Sequence, residues 1–336
     1  MNTEIAVIIP TRNRVALLRE AMDSVQAQSL TTWEMIVVDD GSDDTTPDEV
    51  ARRAAQDSRI RYLPRAGGRA GANVCRNQGL AKTQAPLVVF LDSDDLLRPD
   101  ALEGRVGLMT GNSTLDFAVF RAGVFAKEPG DSGRLYDEQV AGDTLLRFLC
   151  GECAWQTTGP VWRRAALERL GGFEESLLSM QDLELHVRAH IAGLHYICLP
   201  QVDHDIRWQF DLSKTSARHF RDPVYILASE QVPSRLYQSV ADAGFMTWSR
   251  RRAIAGMGFS VAENWIRARQ LGHALRAWRD SALRCSVPMF VMISGSALLL
   301  LSWLLGPGSE LAARIVNKWK GWVRFRQEPR LITKAR

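Results

Sequence analysis

An α/β architecture built on a doubly wound, mostly parallel sheet is the predicted fold class, and three observations predict it. Strand-like and helix-like hydrophobic patterns alternate through the first hundred residues. Polar or acidic clusters follow three of the strand-like runs, where an open parallel sheet binds its ligands. The 336 residues, 46% of them hydrophobic, suffice to bury a large core and contain no repeat or low-complexity tract.

Taken in order, Ile5–Pro10 is a short β-branched run, and Val15–Gln28 places Leu18, Met22 and Val25 at helical spacing. Glu34–Val38 repeats the strand signal and ends in Asp39-Asp40-Gly41-Ser42-Asp43-Asp44. Thr46-Pro47 then opens a second helix, with proline in its first turn. Arg59–Leu63 reads as a third strand, Asn73–Ala81 as a helix and Leu87–Leu91 as a wholly apolar fourth strand. Beyond Pro99, strands are expected near Phe117–Phe120 and Leu194–Leu199, and helices near Asp143–Leu149, Arg164–Leu170 and Asp182–Ala192. Arg207–Pro223, polar and aromatic, reads as a mobile loop. Val224–Arg284 reads as helical, with an arginine-rich face of Arg250, Arg251, Arg252, Arg267, Arg269 and Arg276.

The formal charge of +4 is small, but acidic residues concentrate early while the last hundred positions are rich in Arg and Trp. That asymmetry suggests a surface partner for the C-terminal part; no nucleic-acid partner is expected, and oligomeric state is not read from the sequence. The five cysteines are odd in number, and the pair Cys150-Gly-Glu-Cys153 has no second pair to complete a zinc site, so they read as reduced, mostly buried thiols. Met1-Asn-Thr-Glu leads straight into the first strand without the basic and apolar regions of a signal peptide, so the main domain is expected in the cytoplasm.

Val287–Leu305 is uncharged and strongly apolar; as a helix it would extend roughly 28 Å, about one hydrocarbon core. Basic residues flank it on both sides, so positive-inside bias selects no orientation. A re-entrant or interfacial insertion broken near Ser294-Gly295-Ser296 fits these charges better than a simple span, and a buried core helix is the remaining alternative. Leu311–Phe325 mixes Trp319, Trp322 and Phe325 with Lys and Arg, as a helix in a headgroup layer would.

The clusters after the strands are Thr11-Arg12-Asn13-Arg14, Asp39-Asp40 and Asp92-Ser93-Asp94-Asp95. No glycine-rich dinucleotide fingerprint or P-loop follows the first strand, so bound phosphates would be neutralised another way. Carboxylates in an Asp-x-Asp pattern do this through Mg²⁺ or Mn²⁺, hard cations that bridge carboxylate and phosphate oxygens. For Asp39 and Asp40 the alternative is a capped turn on Gly41-Ser42.

Six ordered motifs extend this reading: Val7-Ile-Ile-Pro-Thr-Arg-Asn-Arg14, Trp33-Glu-Met-Ile-Val-Val-Asp-Asp-Gly-Ser42, Ala72-Asn-Val-Cys-Arg-Asn-Gln-Gly79, Phe90-Leu-Asp-Ser-Asp-Asp95, Gly171-Gly-Phe-Glu-Glu175 and Gln181-Asp-Leu-Glu-Leu-His-Val-Arg188. With them, residues 4–210 resemble the inverting glycosyltransferases of family 2, which have the Rossmann-like GT-A fold. The resemblance implies a sugar moved from a nucleotide-sugar, UDP-linked by expectation, to a glycan or lipid-linked acceptor at the cytoplasmic face of a membrane such as the bacterial inner membrane. It implies Thr11 and Asp39 at the nucleobase, Asp92 at the ribose and Asp94 on a Mn²⁺ or Mg²⁺ ion, with Pro10, Arg14, Arg76 and Ser93 completing the nucleotide-binding set. Arg76 has a surface ion pair as its alternative, Asn77 and Gly79 read as structural, and Asp95 is an accessory to the metal loop or a helix cap.

The family's base is the aspartate of a Glu-Asp pair, here Gln181-Asp182, and inversion needs such a base for the acceptor hydroxyl. Asp182 is the expected base; Glu184 is its rival, since Asp182 can instead cap the following helix. Arg207 is placed near the donor phosphates. His186 and His190 lie one helical turn apart but lack a zinc-protease pattern and read as core or surface residues. The implied division is a GT-A domain over 1–222, with a nucleotide-sugar half of about 1–100 and an acceptor half of about 101–222. A helical extension over 223–286, an apolar membrane segment over 287–305 and a basic amphipathic tail over 306–336 follow. Two other functions share parts of this pattern: a sugar nucleotidyltransferase, whose glycine-rich loop Pro10-Thr-Arg-Asn13 lacks, and a membrane scaffold retaining the fold without catalysis.

Overall fold

The computed structural model describes residues 3–136, 142–208, 220–323 and 333–334. Its first half is β1 (Ile5–Thr11), α1 (Val15–Gln26), β2 (Trp33–Asp39), α2 (Thr46–Gln56), β3 (Ile60–Pro64), α3 (Ala72–Lys82) and β4 (Leu87–Phe90). These four strands lie parallel in the order β3-β2-β1-β4. Alternate residues feed two separate cores: Ile8, Ile36, Val38, Val88 and Phe90 face one layer of helices, while Val7, Ile9, Met35, Val37 and Val89 face the other. Burial on both faces explains why these strands read as unbroken apolar runs. Helix α3 lies so close to β1 that a Cβ on Gly79 would stand 2.4 Å from Ile8 Cγ2, a close approach that only glycine allows.

The second half is β5 (Leu96–Leu97), α4 (Ala101–Gly111), β6 (Phe117–Phe125), β7 (Arg134–Leu135), α5 (Thr144–Leu149), β8 (Pro160–Arg163), α6 (Arg164–Leu170), α7 (Gln181–Ile191) and β9 (Tyr196–Arg207). Here the expectation of a mostly parallel sheet is corrected. Strand β8 runs antiparallel to both β4 and β6, β7 is antiparallel to β6 and β5 to β9, so the sheet is mixed. The four-residue β8, opened by a proline, is too short to show periodicity in the sequence. Strands β6 and β9 also run longer than expected, pairing in parallel with register shifts on either side of Arg121. Residues 209–219, most of the expected mobile loop, lie outside the described residues.

Six further helices follow: α8 (Pro223–Ser229), α9 (Gln231–Asp242), α10 (Trp248–Arg267), α11 (Leu271–Arg284), α12 (Met289–Leu305) and α13 (Glu310–Trp322), and a two-residue strand, β10 (Thr333–Lys334), pairs with β7. Helix α9 packs on α7 and α10 on α5, continuing the sheet's hydrophobic core outward to Phe259 and Trp278. The arginines expected to share one face instead tie elements together. Arg250 reaches Asp143 at 3.1 Å, Arg252 the carbonyl of Val323 and Arg269 the carbonyl of Trp303.

Helix α12 departs from the membrane expectation. It has 17 residues, about 26 Å, and among the described residues no helix is long and apolar enough to cross a membrane. Nor does it break at Ser294-Gly295-Ser296. A Cβ on Gly295 would lie 2.7 Å from Trp278 Nε1, so this glycine is a notch for the Trp278 indole, which donates to Met292 O at 2.9 Å. The two serine hydroxyls donate back to carbonyls one turn earlier, which satisfies them inside a helix that runs unbroken through the segment. Trp319 turns inward rather than toward a headgroup layer, donating to Ser294 Oγ at 3.0 Å and packing on Phe259 and Trp278. The side chain of Trp322 and all of Phe325 lie outside the described set.

Candidate active site

The site forms where β1, β2 and β4 end, because parallel strands deliver their C-terminal residues to one edge. Thr11 and Asp39 are register partners across β1 and β2. Asp39 Oδ1 accepts from the Ser42 backbone N–H at 3.0 Å and from its hydroxyl at 2.5 Å, while Oδ2 accepts from Tyr62 OH at 2.9 Å. This is the capped-turn geometry given as the alternative for Asp39. Burial and the neighbouring Asp39 push the Tyr62 phenol up to about 12. Thr11 is buried, and its hydroxyl has no partner among the described residues. Pro10 completes the end of β1, paired with Val38.

The chain turns after β4 through Asp92-Ser93-Asp94-Asp95, with the Asp95 N–H on the Asp92 carbonyl at 3.0 Å. Asp92 meets Arg76 of α3 at 2.7 Å. This pair is not the surface contact given as the alternative: Arg76 is 3% exposed, its Nε has no partner among the described residues, and its guanidinium lies 5.1 Å from the Phe173 ring centroid. Ser93 is buried, and Asp94 has Arg14 at 3.8 Å. Asp95 accepts from Gln156 Nε2 and from the Arg207 N–H, both at 3.1 Å. Arg207 in turn donates to the Asp94 carbonyl at 3.2 Å and pairs with Glu20, so it braces the acidic turn from the far end of β9.

Asp182 arrives on α7 from the opposite side. The loop before it is clasped by α3: Asn73 donates to the Glu174 and Leu177 carbonyls, and Asn77 exchanges hydrogen bonds with the Phe173 backbone. Asn77 and Gly79 thus serve structure. Met180, at a left-handed φ of 57°, starts the helix without any side-chain cap. Asp182 is no cap either: Oδ1 accepts from the Leu183 N–H at 2.9 Å, and Oδ2 accepts from the Cys153 thiol at 3.8 Å. Burial pushes its carboxyl above the ordinary aspartate value; Arg76 opposes this and Asp92 adds to it, which ties α7 electrostatically to the β4 turn. Glu184 is engaged elsewhere, gripping Arg188 with both oxygens at 2.7 and 2.8 Å while Arg188 holds the Leu170 and Gly172 carbonyls.

Several contributors escaped the sequence reading. Gln156 and Thr158, whose hydroxyl stands 3.5 Å from the Asp92 nitrogen, and Cys153 all belong to the segment after α5 and carry no motif. Arg105, wholly buried, grips Asp203 at 2.7 and 2.9 Å and the Thr158 carbonyl at 2.9 Å, fixing the β9 end beside that segment. His186 and His190 stack into the aromatic core with Trp155 and Phe148, and burial lowers the pKa of both. Cys75 and Cys285 are buried, whereas Cys198 is exposed, so the thiols are less uniformly buried than expected.

Comparison with known proteins adds an independent line. Over 158 residues the chain is 39% identical to a Campylobacter jejuni GalNAc(5)-diNAcBac-PP-undecaprenol beta-1,3-glucosyltransferase, covering 44% of this chain and 50% of that one. It is also 39% identical over 111 residues to the putative teichuronic acid biosynthesis glycosyltransferase TuaG of Bacillus subtilis, covering 32% of this chain and 43% of that protein. The chain therefore spans half or less of the length of these two relatives. In fold it is similar to the crystal structure of S. aureus TarS 1-349 in complex with UDP-GlcNAc, at a TM-score of 0.64 and 17% identity, over 90% of this chain and 91% of that one. The family model described as glycosyl transferase family 2 matches residues 6–165, the stretch that holds all three strand-end clusters. Over that stretch the chain is similar to the glycosyl transferase family 2 domain.

Proposed function

We propose that this chain is an inverting glycosyltransferase that moves a sugar from a nucleotide-sugar, UDP-linked, onto a glycan or lipid-linked acceptor at a membrane surface. The observation that carries the reading is the approach of α7 to the turn after β4, where the partly buried Asp182, its carboxyl raised by desolvation, interacts electrostatically with Asp92 and Arg76. In the proposed roles, Asp39 accepts from a ring N–H of the nucleobase and the unpartnered Thr11 hydroxyl assists it, while Asp92 accepts from the ribose. Arg76 supplies positive charge to the donor.

The residues present fit a hard divalent cation of the Mn²⁺ or Mg²⁺ kind, since they offer carboxylate oxygens. Among the described residues no group of three or more His, Cys, Asp or Glu could hold such an ion. Asp94 would therefore hold it jointly with donor phosphate oxygens, as Mg²⁺ sites built around substrate phosphates do. Bound there, the ion supplies positive charge to the departing diphosphate. Asp182 takes the proton of the acceptor hydroxyl as that oxygen attacks the anomeric carbon from the side opposite the leaving group. One displacement inverts the centre, and no enzyme-bound intermediate is needed.

The acceptor class draws support from the Campylobacter relative, whose name specifies an undecaprenol-linked substrate. The site at a membrane draws support from α12, whose outer face is apolar. The deciding assay is turnover of a panel of radiolabelled UDP-sugars with Mn²⁺. Asp94→Ala is expected to lower turnover on the order of 10² to 10³-fold, as chelation of the metal should. Undiminished turnover in that variant would sink the assignment.

A further inference from the structure

The carboxylate of Asp182 has a sparse set of partners. Oδ1 accepts from the Leu183 N–H of its own helix at 2.9 Å, and the remaining described hydrogen-bonding group at this side chain is the Cys153 thiol, 3.8 Å from Oδ2. Cys153 belongs to the segment joining α5 to β8, which also holds the acidic turn: Gln156 donates to Asp95, and the Thr158 hydroxyl stands at the Asp92 nitrogen. One short stretch of chain thus touches the donor-side carboxylates and the base.

A thiol is a weak donor with a large, soft sulfur. Beside a carboxylate it restricts the rotamer without delivering the strong hydrogen bond that a hydroxyl would, and a strong bond to the ionised form lowers basicity. We propose that Cys153 is a positioning residue for the base, holding Asp182 Oδ2 toward the acceptor while leaving that oxygen able to take a proton. The proposal rests on the assignment of Asp182 as base.

The charged surroundings are consistent with such control. Arg76 of α3 and Asp92 after β4 act on Asp182 in opposite directions. Charged groups on the elements packed against α7 are engaged elsewhere: Arg147 of α5 with Glu152, Arg164 of α6 with Glu168, Arg169 of α6 with Asp116, Arg235 of α9 with Glu174, and Asp242 of α9 with Gln238. Burial and the adjacent Asp182 in turn hold the Cys153 thiol well above the ordinary range.

The first test needs neither sugar nor acceptor. The full-length protein and its Asp182→Asn variant are pulsed with iodoacetamide from pH 7 to 11, and alkylation of the peptide carrying Cys153 is read by mass spectrometry. Removing the neighbouring negative charge should speed alkylation at pH 8 about tenfold, one unit of thiol titration. Equal rates in a folded variant overturn the proposal, and Asp182→Ala replaces Asp182→Asn if the latter does not fold. The second test follows the pH profile of UDP release from the best-turned-over UDP-sugar. Cys153→Ser should move the acid limb to lower pH with a smaller plateau, and Cys153→Ala should move it the other way. Limbs unchanged in both variants overturn the proposal. Absence of turnover from the unaltered protein counts against the glycosyltransferase reading and leaves the alkylation result to decide the coupling of the pair.

Discussion

At Asp182, the proposed role in chemistry and a cost in stability come from the same desolvation. A carboxyl raised above its ordinary 3.8 favours the protonated form in the folded chain. The sign follows from linkage: the folded state binds more protons than the unfolded one near and above that value, so stability falls as pH rises through this window. This is the reverse of Asp203, whose carboxyl Arg105 holds below the usual range against the effect of burial. Asp182→Asn is therefore expected to raise Tm at pH 7 by on the order of 2 °C. The gain should vanish below pH 3.8. Calorimetry at the two pH values reads this, and an unchanged or lowered Tm at neutral pH would contradict it. Only the aspartate itself was visible in the sequence; its partner Cys153 lies 29 residues away with no motif to mark it.

Helices α1 and α2 show the same linkage with the opposite sign. Glu49 of α2 is buried and receives Arg52 and Arg53 at 2.8 Å and Arg19 of α1 at 3.3 Å, while Arg53 reaches back to Asp23 of α1. Hydrogen bonds from Arg52, outweighing desolvation, hold the Glu49 carboxyl down at about 2, against an ordinary 4.5. Its stabilising contribution is present above pH 4.5 and is lost as pH falls from there toward 2. Glu49→Gln should cost about 1–3 kcal/mol at pH 7, because a carboxylate that gathers three guanidinium groups is replaced by a weaker acceptor. It should also flatten the pH dependence of urea midpoints between 4.5 and 2; a parallel curve would show that the cluster is not the source. Helix α2 itself was legible from Thr46-Pro47, but its clamp onto α1 spans 30 residues between Asp23 and Arg53 and leaves no local pattern.

At the scale of the whole molecule, the outer face of α12 bears on the proposed membrane site. Met289, Phe290, Ile293, Leu300 and Leu304 are between 43% and 66% exposed, and Leu311 of α13 adds to them at 60%. Val291, Gly295 and Leu299 on the inner face are buried. A helix apolar on both sides, with Arg314 and Lys318 exposed on the next helix, matches an anionic lipid surface better than water. The full-length chain is expected to float with phosphatidylglycerol vesicles and to release at high salt. The double variant Ile293→Asp, Leu304→Asp should bind at least about tenfold more weakly with Tm unchanged, since both side chains face outward. Equal flotation of the variant, or none by the parent, would overturn this surface.

The parallel β3-β2-β1-β4 half, its helices and the acidic turns after β2 and β4 were readable from the chain alone. Each is encoded within a few neighbouring residues, by a hydrophobic period or by the residue type that ends a strand. The antiparallel insertion of β8, the extension of β9 to Arg207 and the clasp of α3 on the loop before α7 depend on residues tens of positions apart. So does the fate of Ser294-Gly295-Ser296, which resembles a break locally and becomes a packing notch once Trp278 lies against it. The sequence by itself determined which side chains are available for chemistry. Tertiary structure decided which of them meet, because burial and charge proximity exist only after distant segments pack, and these bring Cys153 beside Asp182 and put Asp182 within the electrostatic reach of Arg76 and Asp92.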